Sequence, residues 1–120
     1  MRQEHGHLRS EELSIQFHRA IAEKLRDNPE AVLAVTRQNI AHWRRTHSGT
    51  GGASYYFDRW DAMLKGPLDE LLAFLGSPCQ EARDMRQCSP FAGVLSHKER
   101  WGIIRCFSGD WMRRPKNATR

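Results

Sequence analysis

The stretch "LSIQFHRAIAEKLRDNPEAVLAVTRQNIAHW", Leu13 to Trp43, decides the fold class. Leu13, Phe17, Ala20, Ile21 and Leu25 recur at intervals of three and four, which places them on one face of a helix. Asp27-Asn28-Pro29 ends that helix and starts another. Asn28 supplies a capping oxygen, and Pro29 suits the first helical position, where its missing N–H costs nothing. Val32, Val35, Ile40 and Trp43 continue the pattern on the second helix. Two amphipathic helices joined by a tight turn must cover their apolar stripes with further elements.

Working outward, every other segment also reads as helix. Ser10 is placed to cap the first helix, with Glu11 and Glu12 favourable against its dipole, and residues 1–9 are expected to be flexible. Thr46 to Ser54 is a loop by composition. Tyr56, Trp60, Met63 and Leu64 form the stripe of a third helix, Gly66-Pro67 punctuates, and Leu68, Leu71, Leu72 and Leu75 mark a short fourth. Gly76 suits a left-handed helix end. Ser77, Pro78 and Gln80 read as the cap, first position and capping-box partner of a fifth helix running to about Gln87. Ser96 and Glu99 form a second capping box ahead of a helix carrying Trp101, Ile104 and Phe107, which Ser108-Gly109 is expected to stop. No segment alternates as a strand does, and no repeat is present. The expected fold is all-α: a compact bundle of about five or six short helices in one domain over residues 10–108, with 109–120 a disordered basic C-terminal tail.

Bulk properties narrow the function. A chain of 120 residues builds one core. The net charge of +5 suggests nucleic acid, but Arg113, Arg114, Lys116 and Arg120 lie in the last eight residues, and the rest carries 15 basic and 14 acidic groups. No apolar run is long enough for a membrane span, and the N-terminus has no apolar signal region. Asn117-Ala118-Thr119 matches a glycosylation pattern that has no meaning without export. Three cysteines without close spacing fit reduced thiols and a cytoplasmic location.

No chemistry is spelled out by a motif. His5 and His7, or Cys79, Cys88 and Cys106 with His97, supply metal-ligand types but not the spacing of a structural zinc site, so no metal and no cofactor is expected. "GTGG", Gly49 to Gly52, has neither a preceding strand nor a following Lys-Ser/Thr. Asp58 with Asp61 and Asp69 with Glu70 read as solvated helix faces. Enzyme activity is not expected. A nucleic-acid reading rests on "HWRRTH", in which Trp43 offers a stacking face and Arg44 and Arg45 offer phosphate contacts, together with Arg113 and Arg114 of the tail. The second helix is apolar and neutral over its first half, which is the wrong end for a helix-turn-helix reader.

One segment does not fit its place. Ser89-Pro90-Phe91-Ala92-Gly93-Val94-Leu95 cannot be one regular helix, yet it is apolar. Either it folds back into the core, or it holds Phe91 or Val94 at the surface as a docking knob. Phe91 is the first candidate for exposure, because Pro90 fixes the backbone just before it.

The frame of Leu13 to Trp43, then "WDAMLKGPLDELLAFL", then "EARDMRQCSPFAGVLSHKERWGIIR" resembles a group of small bacterial proteins of toxin–antitoxin modules. The segments that carry the likeness are Arg86-Gln87, Ser89 to Leu95 and Glu99-Arg100. The resemblance implies an antitoxin-like protein that binds a cognate toxin and blocks it stoichiometrically. Phe91, Val94, Leu95, Arg86 and Arg100 are then the candidate partner-binding residues. In that group a DNA-binding domain often comes first. Here about nine residues precede the first helix, so the expectation is that either the chain only neutralises its toxin or a separate protein supplies the DNA contact.

Overall fold

The structure is a computed structural model that describes the backbone of residues 2–46 and 51–113, and the side chains of 9–46 and 54–108. It is all-α. Six helices follow in order: α1 (Arg2–Asp27), α2 (Pro29–Thr46), α3 (Gly51–Lys65), α4 (Leu68–Leu75), α5 (Gln80–Gln87) and α6 (His97–Arg113), with no strand among the described residues. α1 is the hub and packs against α2, α4 and α6, while α3 bridges α2 and α4.

The Asn28-Pro29 turn forms as its residues dictate. Asn28 Oδ1 accepts from the Ala31 N–H at 3.4 Å, and Pro29 opens α2. The α1 and α2 stripes then meet: Ile21, Leu25, Val32 and Ile40 are buried together with Phe57, Trp60, Leu64, Leu71 and Leu75 from α3 and α4. Trp60 is the centre of this core. It is fully buried, its Nε1–H donates to the Met85 carbonyl at 3.0 Å, and the rings of Phe74 and Phe91 meet it edge-on. An indole is tolerated at full burial because that one donor is satisfied.

Several local expectations are corrected. Ser10 lies inside α1, which is already helical at Arg2. Tertiary contact explains the extension, since Arg9 donates to Ser108 Oγ at 3.2 Å and lies over the Phe107 ring, tying the start of α1 to the end of α6. Likewise α6 passes through Ser108-Gly109 and continues to Arg113. The remainder of the expected tail, residues 114–120, lies outside the described residues. α3 begins at Gly51, within the segment expected to be a loop.

Gly76 ends α4 with φ −103°, not in the left-handed region. Pro78 precedes α5 instead of opening it. The N-cap position is Cys79, without a side-chain cap, and Ser77 Oγ accepts the Cys79 N–H at 3.2 Å. The Ser96–Glu99 box is present in both directions: Ser96 N–H donates to Glu99 Oε1 at 2.8 Å, and Glu99 N–H to Ser96 Oγ at 3.1 Å.

Candidate functional site

The connection between α5 and α6 is built by polar side chains from distant elements. Cys88 closes α5, its N–H donating to the Met85 carbonyl at 3.0 Å. Ser89 then meets His18 of α1, with Oγ 2.8 Å from Nε2. His18 Nδ1 is 2.7 Å from the Ser14 carbonyl. A carbonyl can only accept, so Nδ1 carries the proton and Nε2 accepts from the Ser89 hydroxyl. The imidazole is 5 % exposed. Burial pushes its pKa down from 6.5 to about 4, helped by the nearby Arg86 charge and opposed by the Ser14 carbonyl. It is therefore neutral at pH 7, as the hydrogen bond from Ser89 requires.

Asn39 of α2 secures the next step. Its Nδ2 donates to the carbonyls of Pro90 and Ala92, each at 2.8 Å. One amide thus satisfies two acceptors of a segment that has no helix partner for them. Between these anchors Phe91 points inwards, with 3 % exposure, edge-on to Trp60 at 5.4 Å and to His18 at 6.0 Å between ring centroids. Phe91 to Val94 form a tight turn closed by the Val94 N–H to the Phe91 carbonyl at 3.1 Å. Gly93 holds φ +86°, the left-handed value that the third residue of a type II turn requires. A Cβ there would meet nothing within 4 Å, so the glycine is needed for its backbone angle and not for space.

The candidate partner-binding residues separate accordingly. Phe91 and Leu95 are core side chains, which corrects the expectation that Phe91 stands out as a knob. The edge-on place between Trp60 and His18 is the reason. Arg86 is also buried, donating to the carbonyls of Leu75 at 3.2 Å and Ser77 at 2.7 Å, where it caps the end of α4. Arg100 is exposed, and its guanidinium lies 4.5 Å over the Phe17 ring, so it fastens α6 to α1. Val94 is half-buried beside exposed Ala92 and Gly93. These three form a surface turn next to a cleft of about 330 Å³, floored by Val32, Val35 and Val94 and edged by Lys24 and Asp27.

The candidate nucleic-acid residues are partly committed elsewhere. The Trp43 ring packs on Phe57 at 5.8 Å, and Arg44 pairs with Asp58 at 3.0 Å. Arg45 is exposed, the Arg113 side chain is not described, and Arg114 lies outside the described residues. Among the described residues no group of three His, Cys, Asp or Glu could hold a metal ion, and no helix is long and apolar enough to cross a membrane. No protein-family model, curated protein or solved structure matches the chain.

Reading the sequence missed His18, Asn39 and Ser89 as partners of one connection. His18 does carry a signal, because it falls between Phe17 and Ile21 on the inward side of α1. Asn39, next to Ile40, carries none that pattern alone supplies.

Proposed function

We propose that this chain is a non-enzymatic, antitoxin-like protein that neutralises a cognate bacterial toxin by direct binding, and that the turn Ala92-Gly93-Val94 is its recognition element. One observation carries the reading: an apolar turn stands at the surface yet is fixed from below by Asn39, by the Ser89–His18 bond and by buried Phe91. A turn held this way loses little entropy on binding, which favours recognition. The adjoining cleft offers Val35 and Val94 to an apolar side chain, with Lys24 and Asp27 at its edge for polar contacts. The sequence resemblance agrees with this reading, since its most recognisable segment is this connection.

The test pairs the chain with the product of the reading frame that adjoins its own. Co-expression should relieve growth arrest caused by that product, and the two should co-purify as a stoichiometric complex. Val94→Glu should abolish both effects while the protein stays folded and helical, at some loss of melting temperature because Val94 also packs against the core. Retained neutralisation by a folded Val94→Glu protein would remove the turn from the interface. A purified pair that does not associate would end the antitoxin reading.

A further inference from the structure

A second surface runs along α1 and α6 and meets the first at Lys24 and Asp27. The two helices enclose an open groove of about 1060 Å³. Its floor is apolar, with Ile15 of α1 and Ile103 and Phe107 of α6. Its edges carry Glu12, Glu23, Asp27 and Glu99 against Arg19 and Lys24. Glu99 is paired with Lys24 and Glu23 with Arg26, yet the lining still holds four carboxylates against two cations on a chain whose net charge is +5. An occupant suited to it offers a large apolar side chain flanked by cations.

The chain itself bears such a feature. Trp101 is 60 % exposed, the largest exposure of any bulky apolar side chain described. Lys98 and Arg105 are also exposed and stand three residues before and four after it, on the same face of α6. This face adjoins the groove along α6. Between them is Gly102, which lines the groove in the middle of the helix. Glycine weakens a helix, yet a Cβ at Gly102 would meet nothing within 4 Å, and the residue has no positive φ to justify it. Nothing inside the chain requires it. A glycine in that position lets another backbone approach closely.

We infer that the α1–α6 groove is the dimer interface of this protein, each copy seating the Trp101 face of its partner's α6 in its own groove. A two-fold axis beside Gly102 makes both contacts at once, as a self-complementary interface requires. Trp101 becomes the buried anchor, Lys98 and Arg105 meet the carboxylate edges, and the bare backbone at Gly102 admits the crossing helix. Ala92, Gly93 and Val94 do not line the groove, although Lys24 and Asp27 edge both surfaces, so a substitution at Val94 separates dimerisation from the proposed toxin contact.

Sedimentation velocity on the purified full chain tests the inference. At about 100 µM the wild type should sediment as a dimer. Trp101→Ala and Gly102→Leu should each weaken association at least about tenfold and give monomers at that concentration, with helical circular dichroism retained. Trp101→Ala decides the matter if Gly102→Leu does not fold, because a side chain so exposed is not needed by the monomer. Val94→Glu should remain dimeric. A wild type that is monomeric at about 100 µM, a dimer that survives Trp101→Ala, or a dimer lost in Val94→Glu would each overturn the assignment.

Discussion

Phe91 shows at the scale of one residue how a surface-like position becomes core. Its side chain is the wedge between Trp60 and His18, so Phe91→Ala should cost about 3–5 kcal/mol, read as a lowered denaturant midpoint with the slope unchanged. His18 makes a second, independent prediction. Its pKa is 6.5 when unfolded and about 4 when folded, so the unfolded chain binds more protons in that interval. The stability due to neutral His18 is complete above pH 6.5, declines as pH falls from there, and is lost by about pH 4. The loss should be about 3 kcal/mol. In His18→Gln the decline between those values should be largely absent, measured by urea unfolding at a series of pH values. Glu99, held down to about 2 by the Ser96 backbone and by Lys24, titrates in a lower window and does not confound the result.

At the scale of elements, the helices differ in how they are started and how deeply they are held. α6 depends on its cap and on α1: Ser96 begins it, Glu99 reaches Lys24 at 2.9 Å, and Arg100 covers Phe17. The packed side of α6 is Ile103 and Phe107, four residues apart, and not the Trp101-led stripe that spacing alone suggested. Ser96→Ala should therefore lower stability by about 1 kcal/mol. Hydrogen exchange should show α6 amides opening at lower free energy than those of α3 around Trp60, which is fully buried. Equal protection in the two helices would mean that α6 and the core unfold as one unit.

For the molecule as a whole, the question is whether charge or apolar shape governs binding. Of the arginines of "HWRRTH", Arg44 is paired with Asp58 and Arg45 is exposed, and the proposed recognition turn is uncharged. Binding of the proposed toxin partner should accordingly change little between about 50 and 200 mM salt, measured by calorimetry. A nucleic-acid binder making several phosphate contacts would lose about a thousandfold or more over that range. A steep salt dependence would shift the weight of function from the Ala92–Val94 turn to the basic segments.

The helical class, the Asn28-Pro29 junction and the Ser96–Glu99 box were legible in the sequence because each is a local matter: side-chain periodicity, one fixed φ and hydrogen bonds spanning three residues. Most of the core was legible for the same reason, since Ile21, Leu25, Val32 and Trp60 sit on stripes that must be covered. Where α1 and α6 end was not legible, because Arg9 and Ser108 are 99 residues apart and each extends the other's helix. The fate of the α5–α6 connection was decided the same way. Its composition allowed either burial or display, and Asn39 and His18 settled it by supplying hydrogen bonds from 51 and 71 residues away. Local chemistry specifies an element from its own residues, whereas an irregular segment needs its backbone groups paired by whatever the fold brings near. Only the tertiary structure therefore turned Phe91 inwards and left Val94 half-buried and Trp101 exposed.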